Sequence, residues 1–452
     1  MASHGIARTN RNRTEEQRQQ DLDRIKKYRD LDDQIQNHVR QSAYDDPALF
    51  HLTTKILRLN PEYYTIWNVR RRCLISGSLS KRSAGLWRSK ASPNTSRSVT
   101  TKPSCVDSSP SPSAATRADR ATSPSPKKTG GSGTTPDESG KQEQEENTAK
   151  PVGDDEGKKD KDEADEIATD ISLIRSELAF TIPLLIEFPK CYWIWGYRSF
   201  LLSLCDSILP AAVAREFWVA ELALDSKMLT KDRRNFHAWT YRRFIVSALE
   251  STKNDSSGGE STKSMTESEF AYTYSMIKVD LSNFSAWHNR SKLALRLLDE
   301  RGADDAARKE FLDQELELAR EGLNVGPEDQ SLWYYHQFLM DQITTRGEGK
   351  EDDVKHGEGV KGLIAPNLSL ADRREFIDRE VAEIKDLLED YADVKLIYEA
   401  LLEYTMAYQA MGESSEDIVN EDEMMAWLAK LRELDPLRQG RWDDLEKSLK
   451  SI

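Results

Sequence analysis

The residues whose types and spacing suit chemistry are cations and aromatics that recur around successive tryptophans. Lys190 and Tyr192 precede Trp195, and Arg198 follows it. Arg233, Arg234 and Asn235 precede Trp239, and Tyr241, Arg242 and Arg243 follow it. Guanidinium and ammonium groups held on neighbouring turns can bind a phosphate or an acidic partner, arginine through a planar fork and lysine as a point charge. The chain offers little else that is reactive. Its seven histidines (His4, His38, His51, His237, His288, His336 and His356) make no HxxxH pair and no His/Cys/Asp set with ligand spacing. Walker and GxSxG loops are missing from the sequence. The expectation is a binding edge rather than a self-sufficient active site.

The elements that must position this edge are repeats. The phrase around Trp239 is a polar turn, an aromatic, a Trp, and an Arg three residues on. It recurs around Trp67 with Arg70, Trp195 with Arg198, Trp287 with Arg290, and Trp333 with His336 in the arginine position. Trp195, Trp239, Trp287 and Trp333 are 44, 48 and 46 residues apart. Such a period is the mark of a repeat architecture. Before each turn lies an amphipathic stretch: Leu49, Leu52, Ile56 and Leu59; Ile171, Ile174, Leu178 and Leu185, with a kink or end near Pro183; Val213, Phe217, Ala220 and Leu224; Phe270, Tyr274 and Ile277; Leu312, Leu316, Ala319 and Leu323. Pro61, following Asn60, separates the helices of the first pair. A degenerate sixth pair over 372–410 puts Tyr398 in the Trp position. Each hairpin has an apolar face that only its neighbours can cover, so the fold class is all-α, a solenoid of helix hairpins. Each Trp is expected in the core. Its following Arg either ties the next unit or points at a partner.

Trp67 and Trp195 are 128 residues apart, and removing 78–166 leaves 39, close to one period. That segment is rich in Ser and Pro. It carries a net +8 between Lys81 and Lys128 and −6 between Lys141 and Glu166, a composition that cannot bury enough apolar area to order itself. The expected organisation is an N-terminal arm with the first repeat over 1–77, a disordered insertion over 78–166, repeats over 167–410 and a helical tail over 411–452. Residues 1–20 are expected to be a loose arm, with a helix from about Asp21 to Gln41. The net charge of −14 argues against nucleic acid as a general partner. The sequence has no 18-residue apolar run, secretory core or terminal prenylation Cys. No stable membrane insertion is expected. Cys73, Cys105, Cys191 and Cys205 read as reduced thiols of a cytoplasmic protein.

Five in-register Trp-x-x-Arg units resemble the protein prenyltransferase α-subunit repeat over 1–77 and 167–452. Within that family the chain is most similar to the α subunits of Rab geranylgeranyltransferase (type II). The points of similarity are His4-Gly5 and Thr14–Gln17 ahead of the first helix, a first repeat reached by residue 60, and the tail from Leu434 to Leu445. The resemblance implies a right-handed α-α superhelix that pairs with a separate β subunit. That β subunit would carry the zinc and the isoprenoid pocket. It further implies transfer of geranylgeranyl from geranylgeranyl diphosphate to C-terminal cysteines of Rab GTPases, presented by a Rab escort protein. The immunoglobulin-like and leucine-rich additions of animal members are expected to be absent. The family's diphosphate-facing Lys sits in a Pro-Lys-x-Tyr turn, which here is Pro189–Tyr192. The resemblance thus assigns site roles to Lys190, Tyr192 and Asn235, and matches His4 to an N-terminal family His. Gly196 departs from the polar residue usual after this Trp. The neighbouring readings are the α subunit shared by farnesyltransferase and type I geranylgeranyltransferase, and a non-catalytic helical scaffold.

Overall fold

The computed structural model describes residues 14–90, 154–251, 264–345, 362–412 and 419–450, with side chains after 160 in the second stretch. His4 lies outside them. The chain divides into two compact units, 1–79 with 172–452, and 80–171. The described residues contain helices and turns but no strand.

The larger unit opens with α1 (Glu15–Arg40), started by a capping box between Thr14 and Gln17. The helix therefore begins inside the segment expected to be loose. Its apolar stripe is only half used, since Leu31 and Ile35 are buried while Leu22 and Ile25 stay exposed. Hairpins follow: α2 (Pro47–Leu59) with α3 (Tyr64–Cys73), then the last part of α5 (Asp154–Glu187) with α6 (Tyr192–Ile208). Next come α7 (Ala211–Lys231) with α8 (Phe236–Ser251), α9 (Thr266–Val279) with α10 (Phe284–Glu300), and α11 (Asp305–Val325) with α12 (Gln330–Thr344). The expected sixth pair is present as α13 (Leu370–Asp390) and α14 (Lys395–Gln409). The tail forms α15 (Glu421–Leu434) and α16 (Gln439–Leu449). Asp46 caps α2 ahead of Pro47, the pairing that starts a helix most cheaply. Pro183 lies within α5, which continues to Glu187 instead of ending there.

The smaller unit holds α4 (Lys81–Lys90) and the first part of α5. Ser80 donates its backbone N–H and its hydroxyl to the buried Asp170 carboxylate at 2.9 and 2.7 Å, and its Oγ accepts from Ser83 N–H. Arg82 pairs with Glu163 at 2.8 Å. The ends of the insertion expected over 78–166 are thus helical, because cap and ion-pair contacts order them despite their polarity. Residues 91–153 lie outside the described residues.

All five repeated tryptophans are buried, none more than 6% exposed. A buried Trp removes roughly 150–250 Å² from water, on the order of several kcal/mol. Each indole also has a second task. Its N–H donates to the carbonyl six residues earlier, at the start of its own turn: Trp67 to Pro61, Trp195 to Pro189, Trp239 to Arg233, Trp287 to Leu281 and Trp333 to Pro327, at 2.6–2.9 Å. Tyr398 reproduces the contact with its hydroxyl on Ala392, 2.7 Å away.

The arginine after each Trp is also structural. Arg70 grips Glu177 with two bonds of 2.6 Å, Arg242 grips Glu269 with two of 2.7 Å, and Arg290 grips Glu315 at 2.7 and 2.6 Å. Arg198 forms the same fork with Glu221. Every pair joins one repeat to the leading helix of the next, and Arg70–Glu177 does so between residues on either side of the insertion. Tyr197, Tyr241 and Tyr335 donate their hydroxyls to Glu177, Glu221 and Glu315. In the fifth repeat His336 takes the arginine's place between Glu380 and Tyr404, each 3.0 Å away, and Arg320 supplies the missing guanidinium to Glu380. These carboxylates explain an error in the expected face of α7. Glu221 and Asp225 are buried there while Ala220 is exposed.

Candidate functional site

The turns between the helices of each hairpin hold the predicted site, and the clamps just described fix their backbone. Pro189 accepts from the Trp195 indole and from the Asn235 side-chain amide, both at 2.9 Å. The same double acceptance recurs one repeat on, where Arg233 C=O takes the Trp239 indole at 2.8 Å and Asn283 Nδ2 at 3.0 Å. In the preceding repeat the buried Cys191 thiol occupies the Asn position, 3.4 Å from Pro61 O. Successive turns are therefore stitched edge to edge.

With Pro189 held, Lys190 projects outward. Its side chain is 73% exposed, and the nearest carboxylate is Asp232, 3.8 Å from Nζ. Tyr192 begins α6 and is exposed, its ring 6.0 Å from His237 and 5.2 Å from Trp193. Asn235 is different. It is 2% exposed, accepts from His237 and Ala238 N–H as a helix cap, and spends its amide on Pro189. Its side chain is committed to the turn that carries Lys190. The rest of the expected cationic patch also separates. Arg233, Arg234 and Arg243 are exposed, with Arg234 forked onto Asp280 at 2.9 and 2.6 Å, whereas Arg198, Tyr241 and Arg242 are buried in the inter-repeat pairs.

Sequence reading did not single out two parts of this edge. One is His237, between Tyr192 and the Lys190 backbone. Burial pushes its imidazole down from its usual value, against the Glu62 charge and a hydrogen bond to the Lys190 backbone, favouring the neutral ring. The other is a row of rings. Tyr64, Tyr192, Phe236 and Phe284 are the first residues of α3, α6, α8 and α10, each three before its Trp, and all are 48–62% exposed. Tyr64, Tyr192 and Phe236 link through Trp193 and His237, while Phe284 stacks on His288 and meets Tyr334 at 6.1 Å. An aromatic at one fixed offset from four of the five repeated tryptophans was the signal available. Apolar side chains left in water at each period mark a surface that another molecule covers.

Cavities of about 140 and 420 Å³ lie at the last repeats, bordered by Tyr334, Gln337, Glu399, Glu403, Arg441 and Trp442 among others. None of the predicted site residues lines them. Among the described residues no group of three His, Cys, Asp or Glu could hold a metal, so these residues do not fit a zinc site. No helix there is long and apolar enough to cross a membrane. Cys73, Cys191 and Cys205 are buried free thiols, and burial pushes Cys191 up to about 11.

A hairpin repeat with a pinned turn, an Arg–Glu tie to its neighbour and a cationic, aromatic turn edge defines a protein prenyltransferase alpha-subunit solenoid. The family model described as protein prenyltransferase alpha subunit repeat matches residues 47–76, 174–205, 218–249, 266–297 and 312–343, one repeated Trp in each. The chain belongs to the geranylgeranyl transferase type-2 subunit alpha family. It is 31% identical over 270 residues to the Saccharomyces cerevisiae member, covering 59% of this chain and 71% of that protein. To the Candida albicans member it is 26% identical over 453 aligned positions, covering 94% and 92%. To the Bos taurus member it is 33% identical over 178 residues, covering 39% of this chain and 27% of that longer protein.

Proposed function

We propose that this chain is the α subunit of a heterodimeric enzyme that transfers geranylgeranyl from geranylgeranyl diphosphate to C-terminal cysteines of Rab GTPases, with Lys190 directed at the diphosphate. The observation that carries the reading is Lys190 itself. It is an exposed ammonium on a turn immobilised by two hydrogen bonds to Pro189, beside a row of exposed rings. The names of its relatives supply the reaction class.

The chemistry suits this geometry. As the allylic C–O bond breaks and the cysteine sulfur forms the new C–S bond, negative charge collects on the departing diphosphate. A fixed ammonium stabilises that charge more strongly in the transition state than in the ground state. Tyr192 lies two residues on in the same turn, and its hydroxyl can donate a hydrogen bond to the same oxygens. The aromatic row would be covered by the β subunit, whose own residues would hold the zinc and the isoprenoid. The escort protein and the Rab substrate would join that complex in the cytoplasm. The insertion over 78–166 is read as a linker outside this machinery.

The test uses the chain co-expressed with a type-2 β subunit. Lys190→Ala should slow single-turnover transfer by about 100- to 1,000-fold, the loss of one charge-stabilising contact, with dimer formation intact. Unchanged transfer would remove the role assigned to Lys190. A stable dimer with a farnesyltransferase β subunit and none with a type-2 β subunit would overturn the reading in favour of the shared α subunit. Failure to bind either would favour the scaffold.

A further inference from the structure

One repeat departs from a buried pattern that three others keep. Seventeen residues before Arg70, Arg198 and Arg290 stand Thr53, Thr181 and Thr273. Each threonine hydroxyl donates to the carbonyl three residues earlier and accepts from its arginine. Ahead of Arg242 the same place holds Asp225. Asp225 has no solvent exposure, and neither carboxylate oxygen has a hydrogen-bond partner. Its nearest cation, Arg242 Nη1, is 3.7 Å away, beyond hydrogen-bond reach. That guanidinium is already engaged, forked onto Glu269 and donating to Ser226 at 2.9 Å.

The surrounding charges close without Asp225. On α7, Glu221 is paired with Arg198 of α6 and accepts from Tyr241 of α8. Arg242 of α8 is paired with Glu269 of α9. Tyr272 of α9, stacked on Arg242 at 3.5 Å, has a buried hydroxyl without a partner. Two guanidiniums therefore face two carboxylates already, and an ionised Asp225 would be a third anion in a solvent-excluded site, at high cost. A neutral carboxylic acid, by contrast, offers what threonine offers, one O–H donor and an acceptor.

We propose that Asp225 stands protonated in the folded repeat and that its ionisation loosens the packing of α7, α8 and α9, making this repeat the pH-sensitive joint of the solenoid. Burial, then the charge of Glu269 and that of Glu221, pushes the carboxyl from its ordinary 3.8 up to about 8 against the pull of Arg242. The folded state thus keeps a proton that the unfolded chain releases near pH 4. The stabilisation is complete below that pH, falls as pH rises, and levels off above about 8. The same hairpin carries Asn235, so loosening it would reach the Lys190 turn.

Urea unfolding of the full-length chain, compared with Asp225→Asn and Asp225→Thr between pH 6 and 8, tests this. The wild-type unfolding constant should rise relative to either variant by on the order of 50-fold across that range, one proton's worth of linkage. Backbone hydrogen-exchange protection over 211–251 and 266–279, taken relative to the intrinsic exchange rate at each pH, should fall in parallel in the wild type alone. Asp225→Thr carries the residue the neighbouring repeats use, so it serves if Asp225→Asn folds poorly. A ratio that stays constant with pH would overturn the proposal.

Discussion

Asn235 donates its side-chain amide to the carbonyl of Pro189, 46 residues earlier in the chain and 2.9 Å away, where the Trp195 indole also donates. One oxygen therefore joins two repeats and one turn to its own helix. The next residue, Lys190, inherits a backbone that cannot swing, while its side chain stays in solvent. The site and the solenoid's internal ties are the same hydrogen bonds seen from two sides.

Substitutions at Asn235 should separate its two tasks. Asn235→Ser keeps a side-chain oxygen that can cap α8 and loses the amide donor, at about 1 kcal/mol. Asn235→Ala loses both and should cost about 2 kcal/mol. Urea melts measure the difference. Equal costs would mean that the cap contributes nothing, and a costless Asn235→Ser would mean that the bond to Pro189 is idle.

The inter-repeat pairs should prove fragile to single changes and tolerant of double ones. Arg198→Met strands the buried Glu221 with only the Tyr241 hydroxyl, and should destabilise by about 3–5 kcal/mol. Arg198→Met combined with Glu221→Met removes the stranded charge and should cost less than Arg198→Met alone. Thermal or urea unfolding of the three proteins decides it. A double variant weaker than the single would show that the pair contributes net stability beyond charge balance.

The fifth repeat should give the acid limb of the stability profile. Burial alone would raise the Glu380 carboxyl. The hydrogen bond to His336 and the charges of His336, Arg320 and Arg379 outweigh it and hold the group below its ordinary 4.5. A depressed carboxyl contributes stability that is present above pH 4.5 and lost as the pH falls through its folded value. Glu380→Gln should therefore unfold with a flatter pH dependence than the wild type between about pH 5 and 3. Parallel curves would show that another group sets the acid limit.

The amino-acid sequence by itself determined the all-α class, the number of hairpins and the turns that hold Lys190. A Trp every 44–48 residues with apolar helical faces leaves few other folds. It also determined the family, through residues in register. Local rules were enough for α2, where Asp46 and Pro47 announce the start. They reach less far at α1, where the Thr14–Gln17 capping box starts the helix inside the segment expected to be a loose arm. What sequence could not decide was the destination of each polar side chain. Arg198, Tyr241 and Arg242 have the same composition as a cationic edge, yet their partners Glu221 and Glu269 lie 20–27 residues away on helices that meet them only after packing. That the Asn235 amide meets the Pro189 carbonyl, 46 residues earlier, is likewise a fact of packing. Periodicity reports which residues are apolar. It is blind to carboxylates such as Glu221 and Asp225 that are buried because a neighbouring repeat closes over them, which is why the face of α7 and the division between buried ties and exposed site were settled by tertiary structure alone.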